Sequence, residues 1–271
     1  ALHCPPLVLF SLITVGYSAN ALGGAGGPLA VLIIAIVASE LGKAVSKETR
    51  VDILVTPLVT IFSGVGLSML IAAPIGAAAS QVGTLIMWAT EQAPLVMGIL
   101  VSVIVGVALT LPISSAAICA ALGLTGLAGG AAVAGCCAQM VGFAVMSYKE
   151  NGVGGLVSQG LGTSMLQMPN ILRNPRTWIP PTLAAAITGP IATCLFHLEM
   201  NGPAVSSGMG TCGLVGQIGV YTGWIESGKA VTAFDWIGLV LICFVLPAVL
   251  STIFCEVLRK KGWIKEGDLK L

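Results

Sequence analysis

Charged side chains are scarce in this chain. They make up 8% of its 271 residues, whereas 56% of the residues are hydrophobic. A typical soluble domain carries about 25% charged residues, and so little charge cannot cover a surface that faces water. The composition therefore excludes a soluble globular protein and predicts an integral membrane protein whose surroundings are the lipid bilayer.

Histidine is also scarce, and the motifs of several enzyme classes are missing. The sequence has two histidines, His3 and His197, and it contains no serine–histidine–aspartate set, no C-x-x-C pair and no P-loop. Its eight cysteines are scattered in apolar context, where cysteine packs as a small hydrophobic residue. We therefore expect no metal site, no cofactor and no enzyme activity in this chain.

The few basic residues are clustered, and the clusters predict an orientation. They lie in Lys43–Arg50, at Lys149, in Arg173–Arg176 and in the C-terminal segment Arg259–Leu271. Basic loops face the cytoplasm under the positive-inside rule, so we expect both termini there, with residues 259–271 as a short basic cytoplasmic tail. The tail also contains acidic residues and is short, which favours orientation over nucleic-acid binding.

Apolar runs of about 20 residues predict membrane-spanning helices. The predicted spans are Pro5–Leu22, Leu29–Leu41, Ile53–Ala73, Ile75–Thr90, Leu95–Leu111, Ala131–Tyr148, Ile179–Leu198 and Trp236–Leu258. Three irregular, glycine-rich stretches interrupt them: Pro112–Gly130, Gly152–Asn170 and Asn201–Gly219. We name Gly152–Asn170 the first glycine segment and Asn201–Gly219 the second glycine segment.

The basic clusters fall on one side of the membrane only if both glycine segments enter the membrane and return. We therefore predict an all-α polytopic membrane protein, a single domain over residues 1–271. It would have about eight transmembrane helices plus two or three re-entrant hairpins, or about ten helical membrane segments.

The second glycine segment is the most informative feature of the sequence. Backbone that leaves its helix at membrane depth persists only where protein buries it or where it lines a water-filled cavity. In transporters such segments build the substrate site. The segment contains G-x-G-x-x-G, but no strand precedes it, which excludes a dinucleotide site. Close helix packing is the alternative explanation of the glycines.

The first glycine segment repeats part of this pattern. Gln159–Asn170 reads QGLGTSMLQMPN and Ser207–Gln217 reads SGMGTCGLVGQ, so both contain G-x-G-T followed by a later glutamine. Two such segments entering from opposite faces are typical of an inverted-repeat transporter. Chance is a rival explanation, because the chain has 35 glycines. We predict that the two segments meet at a site for a small polar solute.

Hydroxyl, amide and backbone groups of the two segments are the candidate solute ligands. An unpaired amide in hydrocarbon is costly, so buried glutamines must face a ligand, the backbone or each other. Hydrogen bonds between helices are therefore the alternative role of the amides. The candidates are Asn201, Ser206, Ser207, Gly208, Gly210, Thr211, Gly213, Gln217, Gln159, Gly162, Thr163, Gln167, Gln139, His197 and Glu199.

The role of His197 and Glu199 stays open between two interpretations. They follow the seventh predicted span, where they could form a pair at the membrane–water interface. Ionisable groups near membrane depth are also candidates for function, and they would be the acid–base residues if the chain were a membrane enzyme.

The sequences HLEMNGP, GMGTCGLVGQIG and GLGTSMLQMPNILRNP resemble a second EIIC-like family of membrane proteins. These are similar to the sugar-translocating subunit of the bacterial phosphotransferase system, and the family includes proteins described as regulators of the toxin perfringolysin O. The resemblance covers most of the chain. It implies a bacterial inner-membrane transporter of a sugar-like solute, a homodimer, and a separate cytoplasmic phosphotransferase component as partner.

Two mechanisms are compatible with this resemblance. In the first, the unit that carries the glycine segments moves as a rigid body, in the manner of an elevator, and carries the solute across. In the second, the protein is a membrane-embedded sensor or regulator that binds a solute or a partner without transport. No residue is matched to an EIIC residue that assists phosphoryl transfer, and the sequence shows no phosphoryl-donor domain, so we expect no catalysis by this chain.

Overall fold

The structure is a computed structural model, and it describes residues 4–24, 27–48, 50–111 and 113–271. It is 83% helical, and no strand occurs among the described residues. The predicted all-α class is therefore confirmed. The α-helices of the described residues are α1 (Pro6–Gly23), α2 (Gly27–Val45), α3 (Asp52–Leu67), α4 (Ala73–Gln92), α5 (Pro94–Thr110), α6 (Ser115–Leu122), α7 (Gly126–Met146), α8 (Tyr148–Val157), α9 (Met168–Arg173), α10 (Ile179–Pro190), α11 (Val215–Glu226), α12 (Ala233–Val240) and α13 (Leu246–Lys260).

Short π-helical turns join several of these helices. They are Ser68–Ala72, Ser158–Gly162, Ile191–Leu195 and Leu241–Val245. Two of them end two residues before a proline, at Pro74 and Pro247. Proline lacks an N–H group and its ring crowds the carbonyl four residues earlier. A wider turn at that point lets the helix continue, because it changes the hydrogen-bond register.

The structure differs from the sequence prediction at Pro74. Ile53–Ala73 and Ile75–Thr90 were predicted as separate spans, but the structure has one helical run of 41 residues, Asp52–Gln92. Such a run is about 60 Å long, which is about twice the thickness of the hydrocarbon core of a bilayer. The π turn Ser68–Ala72 explains why the proline does not end the helix.

Five helical runs of the described residues are long and apolar enough to cross a membrane. They are Pro6–Gly23, Asp52–Gln92, Gly126–Met146, Pro175–Leu195 and Ala233–Lys260. The shorter apolar helix α5 has 17 residues. These helices support a multi-pass membrane protein, whereas the predicted number of eight spans and the re-entrant hairpins stay predictions.

The internal contacts of the chain form two compact units. The first comprises Ala1–Thr84 and Ala120–Gly123, and the second comprises Leu85–Cys119 and Leu124–Leu271. In the first unit α1, α2 and α3 pack against one another, with Val15 and Ile34 in their common core. The predicted single domain over residues 1–271 stays a prediction.

Helix α7 is the centre of the second unit. Of its 21 residues, 17 are buried, and α5, α10 and α13 pack around it. Small residues allow these close contacts: a side chain at Gly135 would overlap the Ser102 carbonyl of α5. Packing of small residues is the usual basis of helix association in membranes, where the hydrophobic effect between helices is absent.

The C-terminal tail folds back onto the second unit. Ile264 and Leu269 are fully buried in a cluster with Phe143 and Ile171. The Nδ2 group of Asn170 donates a hydrogen bond of 2.9 Å to the carbonyl of Lys270. Residues 259–271, which the sequence predicted as a short basic tail, are therefore held by packing and by hydrogen bonds, and their cytoplasmic position stays a prediction.

Candidate functional site

Both glycine segments are broken in the middle. In the first, the helix that starts after a kink at Gly152 (φ 60°) ends at Gly162, and Thr163 is extended. In the second, short 3₁₀ turns at Ala204–Gly208 and Cys212–Leu214 precede α11. The backbone breaks expected from the glycine patterns are therefore present in both segments.

The two segments contact each other at their breaks. The hydroxyl of Thr211 donates a hydrogen bond of 2.5 Å to the carbonyl of Gly160. Thr211 belongs to one G-x-G-T motif and Gly160 to the other, so the contact joins the two similar sequences. The Thr211 side of this hydrogen bond is fully buried, whereas Gly160 is half-buried.

A cavity of about 350 Å³ lies beside this contact. Its volume is within the range of small-molecule sites, roughly 300–1,000 Å³. The lining residues are Leu109, Ile113, Ser114, Ser115, Ala116, Gly162, Thr163, Met165, Met209 and Cys212. None of these described residues is charged, so the cavity suits a neutral solute better than an ion.

Hydroxyl groups supply the polar character of the cavity. Ser115 Oγ donates to the Gly208 carbonyl at 2.7 Å, which leaves its lone pairs free to accept. Ser114 Oγ accepts from the amide of Ala117 at 3.1 Å, and Thr163 Oγ1 accepts from the amide of Met165 at 3.2 Å. Because a hydroxyl both donates and accepts, the hydrogens of Ser114 and Thr163 remain available for a solute.

The family described as "Phosphotransferase system, EIIC" matches residues 1–271, the whole chain. The chain belongs to this family. No curated protein and no solved structure matches the chain. EIIC proteins are membrane translocation subunits that are not catalytic by themselves, so the predicted membership and the predicted transporter class are confirmed.

Within this EIIC protein, few of the predicted solute ligands line the cavity. Gly162 and Thr163 do so. Gly208 is not a lining residue, but its carbonyl accepts the hydrogen bond from the lining residue Ser115. Ser206 and Ser207 are buried in the protein. The hydroxyl of Ser207 donates to the carbonyl of Leu124 at 2.6 Å, so it stabilises the segment.

Most glycines of the second glycine segment are explained by close packing. A Cβ atom at Gly208 would lie 2.5 Å from the Ser115 carbonyl oxygen, and one at Gly210 would lie 2.7 Å from the Cβ of Cys136. Gly213 differs, because no atom lies within 3.8 Å of the position of its Cβ, although its φ is +52°. Close packing was the alternative to a functional role for these glycines, and it accounts for Gly208 and Gly210.

The amides of the first glycine segment bind protein groups. Gln167 Nε2 donates to Gln159 Oε1 at 2.9 Å and to the Leu269 carbonyl at 3.0 Å, and Gln159 Nε2 donates to Ser147 Oγ at 2.7 Å. Both glutamines are fully buried. They connect the segment to the C-terminal tail, and neither lines the cavity.

Gln139 occupies the core behind the cavity. Its Nε2 donates to Thr182 Oγ1 at 3.2 Å, and its Oε1 accepts from Trp178 Nε1 at 3.1 Å and from Thr110 Oγ1 at 3.3 Å. The Thr110 hydroxyl is also 2.8 Å from that of Ser164, which is next to Thr163. Gln139 therefore positions the wall of the cavity through a chain of hydrogen bonds.

Gln217 is buried against α7. Its Nε2 lies 3.2 Å from the sulfur of Cys137, and its Oε1 has no hydrogen-bond partner in the structure. Gln217 is not among the residues that line the cavity.

The remaining predicted residues, His197, Glu199 and Asn201, are exposed. Asn201 Nδ2 donates to Glu199 Oε2 at 2.9 Å, and none of the three lines the cavity. This placement favours the interfacial interpretation of the pair over acid–base chemistry at the cavity.

Sequence reasoning did not select eight of the ten lining residues, and the two with a hydroxyl group among these eight are Ser114 and Ser115. A signal for these two existed, because they are the polar residues of the irregular stretch Pro112–Gly130. That stretch has no G-x-G-T motif, so the sequence did not group it with the two glycine segments. Only the structure shows that Ser114 and Ser115 line the cavity together with residues of both segments.

Proposed function

We propose that this EIIC protein carries a small, neutral, sugar-like solute across the bacterial inner membrane and that the solute binds in the 350 Å³ cavity. One observation carries the proposal. Two segments that leave their helices in a membrane protein contact each other beside a cavity that presents hydroxyl groups and no charge. Broken helices of this kind form solute sites in transporters.

The hydroxyls of Ser114, Ser115 and Thr163 are the proposed direct ligands. A sugar presents several hydroxyl groups, each of which donates and accepts, and serine and threonine hydroxyls match both roles. Gln139, Gln159, Gln167 and their partners would keep this arrangement rigid.

The proposed movement is an elevator-type, rigid-body displacement of the unit that carries the glycine segments. A separate cytoplasmic phosphotransferase component would act on the solute once it has crossed, because this chain is expected to perform translocation without catalysis. The proposal includes a homodimer and cytoplasmic termini, as the basic clusters and the family resemblance suggest.

A thermal-shift screen of the detergent-purified protein against sugars, polyols, nucleosides and organic acids tests the solute class. A ligand at 100 times its dissociation constant stabilises the protein by about 2.7 kcal/mol. We expect stabilisation by a sugar or a polyol. A charged organic acid as the best ligand would contradict the proposed neutral site.

Substitutions at Thr163 test the location. Thr163→Val removes the hydroxyl and should weaken solute binding about tenfold, the effect of losing about 1.4 kcal/mol, whereas Thr163→Ser keeps the hydroxyl and should bind like wild type. Thr222→Val is the matched control, because that hydroxyl bonds within its own helix, to the Ile218 carbonyl at 2.8 Å. Equal affinity in Thr163→Val and wild type would exclude the cavity as the site.

A sensor or regulator is the second candidate function. It is favoured by the hydrogen bond of 3.0 Å from Gln167 in the first glycine segment to the Leu269 carbonyl in the tail. A solute that displaced this segment would also displace the tail. Saturable binding of the solute by reconstituted protein, with no uptake into the vesicles, would support this function over transport.

A further inference from the structure

The surface of the second unit has a groove that, unlike the cavity lined by hydroxyl groups, is lined along most of its length by apolar residues. Its apolar part has a volume of about 280 Å³ and lies between α7, the limb of the first glycine segment and the run that leads into α13. The lining residues are Val141, Ala144, Val145, Leu156, Val157, Gly160, Leu161, Phe244 and Ala248. All of these are apolar residues or glycine, so this part of the groove offers no hydrogen bond from a side chain.

One end of the groove continues into a small polar recess of about 40 Å³. The recess is lined by Val145, Met146, Lys149, Thr252, Cys255, Glu256 and Arg259. Val145 belongs to both linings. Ala248 of the groove and Thr252 of the recess are one helical turn apart on the same face of α13. The apolar slot and the polar recess are therefore consecutive parts of one surface.

The recess carries charges of both signs. Lys149 Nζ lies 3.2 Å from Glu256 Oε1, with side chains that are 75% and 49% exposed. Arg259 Nη2 donates to Glu150 Oε1 at 3.0 Å. An exposed ion pair is weak and exchanges its partners readily, and a guanidinium group has five N–H donors. Lys149 and Glu256 can therefore exchange each other for the charged groups of a ligand. The Arg259–Glu150 pair is more enclosed, with side chains that are 22% and 6% exposed, so Arg259 binds a ligand through the N–H donors that Glu150 leaves free.

We propose that this groove binds one phospholipid whose headgroup contains both a phosphate and an ammonium group. The acyl chain would occupy the apolar slot. The phosphate would contact Lys149 and Arg259, and the ammonium group would contact Glu256. An amphiphile matches a slot that is apolar along its length and charged at one end, and the two signs of charge match a zwitterionic headgroup.

The surroundings of the groove support a lipid as the occupant. Val157 and Leu161, which line the groove, are 50% and 46% exposed, and exposed apolar residues on a membrane protein face acyl chains. Gly160 lines the groove, and its carbonyl accepts the hydrogen bond from Thr211. A bound acyl chain would therefore pack against Gly160 of the first glycine segment, the residue that accepts the hydrogen bond from the second glycine segment.

Native mass spectrometry of the detergent-purified, full-length protein, titrated with phosphatidylethanolamine, tests the proposal. Ala248→Trp fills the slot and should weaken lipid binding about tenfold or more, a change of about 1.4 kcal/mol. Val249→Trp adds the same side chain one residue further, outside the lining residues, and should bind like wild type. Equal lipid affinity in Ala248→Trp and wild type would overturn the proposal.

The headgroup is tested separately. Phosphatidylglycerol, which lacks the ammonium group, should bind wild type about tenfold more weakly than phosphatidylethanolamine, and Glu256→Gln should remove this difference. Lys149→Ala should weaken both lipids, whereas Lys265→Ala, an exposed control, should not. If Ala248→Trp does not fold, Lys149→Ala decides the result. If Ala248→Trp instead converts a dimer to monomers and leaves lipid binding unchanged, a second copy of the chain occupies the groove and the proposal is wrong.

Discussion

Gly210 shows how a single residue can be required for structural reasons inside a segment with a proposed function. Its φ of +53° lies in the left-handed region, and a Cβ atom there would stand 2.7 Å from the Cβ of Cys136. Both the backbone conformation and the space therefore select glycine. Gly213 shares the positive φ, +52°, but has open space around it.

The difference between these two glycines gives a prediction. Gly210→Ala should lower the free energy of unfolding by about 2–6 kcal/mol, since backbone strain and overpacking each cost about 1–3 kcal/mol. Gly213→Ala should cost only the strain, about 1–3 kcal/mol. Thermal unfolding in detergent measures both. Equal losses in the two variants would show that packing against Cys136 is not limiting.

The hydrogen bond from Thr211 to Gly160 gives a second prediction at this scale. Thr211→Val keeps the shape of the side chain and removes the donor, so it should destabilise the protein by about 1 kcal/mol. It should also increase hydrogen exchange in residues 158–163. Thr222→Val removes a hydroxyl that bonds within its own helix. It should leave exchange in residues 158–163 unchanged. Unchanged exchange in Thr211→Val would show that this contact does not hold the segments together.

The elements of this protein could be predicted unequally well from the sequence. The predicted span Leu95–Leu111 corresponds closely to α5, Pro94–Thr110. A single apolar run in a bilayer satisfies its own backbone hydrogen bonds by forming a helix, so its structure follows from its length and composition. The predicted break at Pro74 was wrong, since the π turn Ser68–Ala72 lets the helix continue. The rule that proline ends a helix does not include this adjustment of the hydrogen-bond register, so the local pattern predicted a break.

The tail is the element whose role the sequence described least completely. Its basic residues predicted a short cytoplasmic tail and gave no sign of packing, whereas Leu269 is fully buried and Leu271 is 50% exposed. Leu269→Ala should therefore destabilise the protein by about 2–5 kcal/mol, and Leu271→Ala should cost less than about 0.5 kcal/mol. Thermal unfolding is the measurement. A loss at Leu269 as small as that at Leu271 would mean that the tail is detached in solution.

At the scale of the whole molecule, the helical run Ala233–Lys260 is long enough to cross the membrane from one face to the other. Its 28 residues span about 42 Å, which exceeds the hydrocarbon core of about 30 Å. Residues just before and just after it should therefore lie on opposite sides. The basic residues that follow the run predict that its end faces the cytoplasm.

Cysteine labelling tests this orientation in intact cells. An impermeant thiol reagent should label Ala230→Cys from outside, and it should label Glu266→Cys only after the membrane is permeabilised. Both positions are exposed in the structure. The wild-type protein, with its own eight cysteines, gives the background signal. Labelling of both variants in intact cells would contradict the predicted topology.

The sequence by itself determined the membrane class, the all-α fold, the family and the positions of the two broken segments. These properties are local, because they depend on apolar run length and on glycine spacing along the chain. Only the tertiary structure decided which polar groups face the cavity. Gln167 binds the Leu269 carbonyl 102 residues away, and Thr211 binds that of Gly160 51 residues away. Whether a buried polar group faces a solute or a protein partner depends on such distant contacts, because each must find a partner wherever the fold provides one.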